Sequence, residues 1–315
     1  MMRKILLRTG ATIFLLILVV LATISLRWDR HFAAPYPKLA ASSNPAMIAR
    51  GKYLAYGPAH CGDCHVSPAD FDRLRGGDSP PLSGGGAFVI PVGTIRVPNV
   101  TPDSATGVGG LSDSAIARML RYGVRPDNRS AIPFMEFHEM SDADIVALLS
   151  FLRSQPAVRN VVADHSLNLL GKAVMAFVIK PIGPSGTPPA ESPAPGPTLE
   201  RGAYLVDAVS NCAGCHTKRN MVTGAYTGPR LAGGVPMETA AAAAPGAKPI
   251  ELTPPNITAD SGGRTALWTE EEFIARFHGG ERIPGSPMPW LMFRRMSDDD
   301  LRAIYRYLRS VRHTT

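Results

Sequence analysis

The four cysteines of this chain fall into two pairs, and each pair is followed at once by histidine: Cys61-Gly62-Asp63-Cys64-His65 and Cys212-Ala213-Gly214-Cys215-His216. The spacing puts both thiols of a pair on one helical turn, with an imidazole directly behind them. This C-x-x-C-H pattern is the attachment signature of c-type haem: the thiols bond the two vinyl groups and the histidine is delivered to the iron. A four-cysteine zinc site would have to close across the 146 residues between the two C-x-x-C-H motifs, and such sites need all four donors in one tetrahedron. A thioredoxin-like pair expects a βαβ context that the sequence lacks, and structural disulfides need no histidine after each pair. The expected cofactors are two covalently bound haem c groups, held by Cys61, Cys64, Cys212 and Cys215, with His65 and His216 as proximal iron ligands.

The flanks of the two motifs repeat. Arg50-Gly51-Lys52-Tyr53-Leu54 precedes the first and Arg201-Gly202-Ala203-Tyr204-Leu205 the second; after them Pro98-Asn99-Val100-Thr101 matches Pro255-Asn256-Ile257-Thr258, and Met140-Ser141-Asp142-Ala143-Asp144 matches Met296-Ser297-Asp298-Asp299-Asp300. Self-similarity on this scale points to two copies of one structural unit. Each copy reads as a few short helices. The first opens at Asn44 or Thr198, good N-caps, with Pro45 at the first helical position. Gly51 and Gly202 fall mid-helix, where a close helix crossing would account for them. A middle helix is expected around Ser112–Leu120 and Thr269–Phe277. The last begins with a capping box, Ser141 to Asp144 and Ser297 to Asp300, and continues with apolar residues at helical spacing. No strand ladder is expected.

In this order of opening helix, C-x-x-C-H, Gly/Pro loop, methionine and closing helix, the chain resembles class I cytochromes c. The expected fold is therefore all-α, with two tandem cytochrome c domains over residues 44–155 and 198–315. The stretches Asn99-Val100-Thr101-Pro102-Asp103 and Thr106-Gly107-Val108-Gly109 are similar to those of cytochrome c subunits of bacterial membrane-bound alcohol and sugar dehydrogenases, and to related dihaem cytochromes. Those dehydrogenase subunits typically carry three haems, whereas this chain has two motifs.

The resemblance implies further site residues. A Pro-x-Leu loop in such proteins gives a backbone carbonyl to the second ring nitrogen of the proximal histidine. The matching loops begin at Pro80 and Pro229, which otherwise read as ordinary turn prolines. Met288-Pro289-Trp290 looks like the methionine loop that supplies the sixth ligand. In the first copy Ile132 stands at the equivalent position, and Met135-Glu136-Phe137 follows three residues later, so Met135 is the expected ligand, with His138 and Met140 as alternatives. Met140 and Met296, each directly before a helix cap, suit core packing better. His60, His165 and His278 read as surface or loop histidines.

Residues 1–30 read as an anchor or signal. Arg3, Lys4 and Arg8 precede an uncharged, mostly apolar run of 18 residues, Thr9–Leu26. That exceeds the apolar region of about 7–15 residues in a cleaved signal and approaches the roughly 20 of a spanning helix. The expectation is a retained transmembrane anchor in a bacterial inner membrane, with the haem domains in the periplasm. The net charge of +7 suggests no nucleic-acid partner: residues 27–198 carry 16 basic against 14 acidic side chains, and 199–315 carry 14 against 12.

Between the copies, residues 156–197 form an interdomain segment. Its apolar stretch Leu167–Ile179 is too short to span a bilayer and reads as a helix covering the domain interface or a haem edge, in preference to one on a membrane surface. Pro181–Pro197 reads as an extended connector, and Ala240–Ala244 as a variable loop. The functional expectation is an electron-transfer protein, not an enzyme, that passes single electrons from a periplasmic dehydrogenase to quinone or a terminal oxidase. The alternative class is a dihaem peroxidase with one open haem site.

Overall fold

Two glycine-mediated helix crossings organise the computed structural model, which describes residues 2–220, 224–238 and 250–312. Helix α1 spans Met2–Arg27, and after it α2 (Pro45–Tyr56) starts where Asn44 accepts a hydrogen bond from the Ala46 N–H at 2.9 Å. Helix α2 packs against α6 (Asp142–Ser154) so closely that a Cβ on Gly51 would lie 1.8 Å from the carbonyl oxygen of Ala147. In the C-terminal half α8 (Leu199–Tyr204) crosses α12 (Asp298–Ser310) in the same way, and a Cβ on Gly202 would lie 2.0 Å from the Ala303 carbonyl. The conformational penalty of mid-helix glycine is thus accepted where any side chain would push backbones apart.

Short helices fill the space between. In the N-terminal half these are α3 (Cys61–His65), α4 (Phe71–Arg75) and α5 (Asp113–Tyr122); Ser112 caps α5. In the C-terminal half they are α9 (Cys212–His216), α10 (Glu270–His278) and α11 (Trp290–Phe293). Thr269 and Glu272 form a complete capping box on α10. Leu54, Leu82, Ile145 and Leu149 in the first half, with Leu205, Leu231, Leu301 and Ile304 in the second, belong to one continuous buried cluster.

The expectation of an all-α chain needs correction. Ala87–Ile90 and Gly93–Arg96 form an antiparallel hairpin (β1, β2), which Ser166–Leu167 (β3) extends to three strands; Met237–Glu238 (β4) pairs with Glu251–Leu252 (β5). The pairing escaped sequence reading because Ala87, Phe88 and Val89 are all exposed, so the strand lacks the in–out alternation that marks a half-buried ladder.

The capping boxes at Ser141 and Ser297 differ from expectation as well. Each serine accepts from the aspartate N–H three residues on, but the reciprocal bond to the serine N–H comes from elsewhere. The Tyr204 hydroxyl accepts from Ser141 N–H at 3.1 Å, and the Tyr53 hydroxyl accepts from Ser297 N–H at 3.1 Å. Each tyrosine reaches across from the opposite half. The freed carboxylates bind arginines of their own half, Asp144 with Arg50 at 2.9 Å and Asp300 with Arg201 at 2.8 Å.

The connector over 181–197 has no helix or strand, yet it is docked. The Pro189 and Ala190 carbonyls accept from the Asp142 and Ala143 N–H groups, satisfying donors that the first turn of α6 leaves open. The apolar stretch forms α7 (Leu169–Phe177), which packs on α1 and on β3, so the expected cover over the domain interface is not where it lies. Ala240–Ala244 fall outside the described residues.

Candidate functional site

Both C-x-x-C-H segments are single helical turns, α3 and α9, entered through a left-handed residue, His60 at φ 43° and Asn211 at φ 47°. Histidine and asparagine are among the side chains that tolerate this region. The turn aligns Cys61 with Cys64 and Cys212 with Cys215, and sends His65 and His216 into the interior, 7% and 8% exposed. Among the described residues no three or more His, Cys, Asp or Glu side chains converge as a metal cluster, so the two cysteine pairs are not assembled into a zinc site.

Each histidine is held by one main-chain oxygen. His65 Nδ1 lies 3.0 Å from the Pro98 carbonyl and His216 Nδ1 lies 2.8 Å from the Pro255 carbonyl. A carbonyl only accepts, so the proton sits on Nδ1 and the Nε2 lone pair is left for a metal. Burial lowers the pKa of both imidazoles, against the opposing pull of the carbonyl. A neutral imidazole with Nε2 free is the form that binds iron.

These carbonyls correct the assignment of Pro80 and Pro229. The Pro80 carbonyl accepts instead from the Tyr56 hydroxyl. The Pro-x-Leu loops still brace the histidines through backbone: Gly84 N–H donates to the His65 carbonyl at 2.7 Å, and Gly233 N–H to the His216 carbonyl at 2.9 Å. Leu82 and Leu231 fill the core beneath. The residues that sequence reading missed are Pro98 and Pro255, although the repeated Pro-Asn-x-Thr was the signal. Its asparagine explains the repeat. Asn99 accepts from both Thr101 N–H and Thr101 hydroxyl, and Asn256 does the same for Thr258, fixing the loop that carries the prolyl carbonyl.

Met135 and Met288 are partly buried and pack on the core, whereas Met140 and Met296 are fully interior. His138 is half-buried, and its carbonyl accepts from Arg121. His165 accepts from the Arg96 N–H, and His278 bridges the Arg294 carbonyl and Asp298. His60 is different: its ring lies 5.6 Å from that of Phe293. Helix α11 packs on α3, and Met292 Sδ would be 2.8 Å from a Cβ on Gly62. The segment behind Met288 therefore presses on the cysteine turn of the opposite half.

A thiol pair on one turn with a buried neutral imidazole whose Nε2 is free forms a donor set suited to covalent haem. Residues 199–312 match the family model described as cytochrome c. The chain is 30% identical over 291 residues to the cytochrome c subunit of a quinone alcohol dehydrogenase from Gluconobacter oxydans (strain 621H), covering 86% of this chain and 56% of that protein. It is 28% identical over 293 residues to the gluconate 2-dehydrogenase cytochrome c subunit of Pantoea cypripedii, covering 85% and 60%. A diheme cytochrome c-type protein of Cereibacter sphaeroides is 29% identical over 166 residues, 51% of this chain and 54% of that one. The chain thus spans little more than half the length of these relatives. Residues 199–312 are a cytochrome c domain, in a chain homologous to the cytochrome c subunits of alcohol and gluconate dehydrogenases.

Proposed function

We propose that this chain is a membrane-anchored dihaem c-type cytochrome of the bacterial inner membrane, relaying single electrons in the periplasm from a dehydrogenase to quinone or a terminal oxidase. The observation that carries the reading is the matched pair of buried histidines, His65 and His216, each tied through Nδ1 to a prolyl carbonyl behind a C-x-x-C turn. Haem bound there supplies a one-electron ferric–ferrous couple. Cys61, Cys64, Cys212 and Cys215 fix its orientation, and the Pro98 and Pro255 carbonyls hold each ring proton on Nδ1 so that Nε2 stays directed to the metal. Met288 and Met135 offer thioether sulfurs, which favour the ferrous state and raise the potential. We place one haem domain over 44–155 and one over 198–315, with 156–197 between them, a division that the two glycine-mediated helix crossings support.

A dehydrogenase as donor is supported by the relatives named as cytochrome subunits of alcohol and gluconate dehydrogenases. Denatured holoprotein is expected to retain two haems by mass, and Cys61→Ser with Cys64→Ser to retain one. Zero or one haem in matured wild-type protein would overturn the proposal.

A further inference from the structure

Helix α7 is tied at both ends to the exit of α1. The Lys172 ammonium lies 5.0 Å from the centroid of the Trp28 ring, and Arg30 donates to the Ile179 carbonyl at 3.0 Å. Ile24, the one buried side chain among the described residues of α1, lies at the end of α1 that meets α7. On its inner side α7 is closely seated: Ala176 is fully buried, and a Cβ on Gly171 would fall 2.1 Å from the Val92 carbonyl. Asn168 caps the helix, accepting from Gly171 N–H, and donates to the Pro91 carbonyl of the hairpin turn. The orientation of α7 is thus fixed from two sides.

The outer side is open among the described residues. Leu169, Leu170 and Phe177 are 58%, 55% and 51% exposed, and Leu170, Ala173 and Phe177 recur at i, i+3 and i+7 on one helix face. Lys172 and Lys180 lie within and just after α7 in the sequence, and Arg27, Asp29 and Arg30 flank Trp28 at the exit of α1. An apolar stripe bordered by cations and joined to a tryptophan at the end of an apolar helix has the chemistry of a bilayer interface. We infer that α7 lies in the headgroup region of the lipid bilayer, its Leu169–Leu170–Phe177 face in the acyl boundary and its cations toward anionic headgroups.

This inference rests on the anchor reading of α1 and adds a second contact to it. A single helix leaves the rest of the chain free to turn about its axis. A second contact through α7, itself fastened to the β1–β2 hairpin, would hold the N-terminal half in one attitude to the membrane.

The test uses the full-length holoprotein in nanodiscs of phosphatidylethanolamine and phosphatidylglycerol doped with a diazirine-bearing phospholipid, with labelled peptides mapped by mass spectrometry. Label is expected on α1 and on Leu169–Phe177. Leu170→Glu with Phe177→Glu should remove the α7 label while α1 stays labelled and haem content is unchanged. Label on α1 alone overturns the inference and leaves the anchor standing. Label on α7 alone supports the inference and overturns the anchor. Label on neither overturns both, and an unlabelled α7 protected from hydrogen exchange at the mass of two chains would assign the face to a second copy.

Discussion

The Tyr53 hydroxyl donates to the Asp300 carboxylate at 2.7 Å, joining α2 to α12. Its counterpart runs the other way, from Tyr204 to Asp144 at 2.8 Å. Each aspartate also pairs with an arginine of its own half, Arg201 for Asp300 and Arg50 for Asp144. The two carboxylates therefore serve the fold of one half and the contact between halves together. Tyr53→Phe and Tyr204→Phe should each lower stability by about 1–2 kcal/mol, the range for a hydrogen bond to a charged group after allowing for partial exposure. Urea unfolding of the holoproteins measures this, and because Arg50 of the Asp144 pair stacks on Tyr53 and Arg201 of the Asp300 pair stacks on Tyr204, the double variant should depart from the sum.

The same tyrosines set an alkaline limit. Burial, aided by the Asp300 charge, pushes the Tyr53 phenol up from 10.0 to about 12, and burial with Asp144 raises Tyr204 as well. A group whose folded pKa is raised keeps its contribution below the unfolded value and loses it as pH climbs through the folded value. Stability should fall between pH 10 and about 12, and the fall should be shallower in Tyr53→Phe with Tyr204→Phe, read from melting temperature against pH.

Gly51→Ala and Gly202→Ala should be among the most damaging single changes outside the cysteine turns. The new methyl would meet a carbonyl oxygen at 1.8 or 2.0 Å, forcing the helices apart. The expected loss is at least the 1–3 kcal/mol or so of an overpacked core. Exposed Gly186, with open space where its Cβ would be, is the control, and Gly186→Ala should leave the denaturation midpoint unmoved.

Asn99→Ala and Asn256→Ala should loosen the proximal histidines without touching them. Asn99 is buried and donates to the Val158 carbonyl at 2.8 Å while accepting from Thr101, so its removal strands buried polar groups at about 1–3 kcal/mol. The hyperfine-shifted proton resonances of the coordinated imidazole should move at His65 for Asn99→Ala and at His216 for Asn256→Ala, each leaving the other haem unchanged.

Met288→Ala should remove the thioether-to-iron absorption of one haem and Met135→Ala that of the other. An unchanged spectrum in Met135→Ala would transfer the sixth position to His138 or Met140. Met140, fully buried in the core, is expected instead to affect stability: Met140→Ala should cost about 2–5 kcal/mol.

Much of this was legible in the sequence because it is local. The C-x-x-C-H turns, the Asn44 and Thr198 caps and the mid-helix glycines each follow from a few neighbouring residues. The acceptor for each histidine was not legible, since Pro98 and Pro255 lie 33 and 39 residues beyond the rings they hold. Tyr53 and Tyr204 were visible as repeated residues, but pattern alone does not say that each serves the other half, 247 and 60 residues away. The hairpin was hidden by the exposure of β1, and the seat of α7 by its partner being the N-terminal helix.

The crossed tyrosine contacts have the form of an isologous interface, in which one patch meets its own likeness: what the first half offers the second, the second returns. An interface of that kind closes on itself, since each partner consumes the face that a third would need. Because both sides of these reciprocal contacts belong to one polypeptide, their association is independent of concentration, and the two cysteine turns keep their mutual placement however dilute the protein becomes.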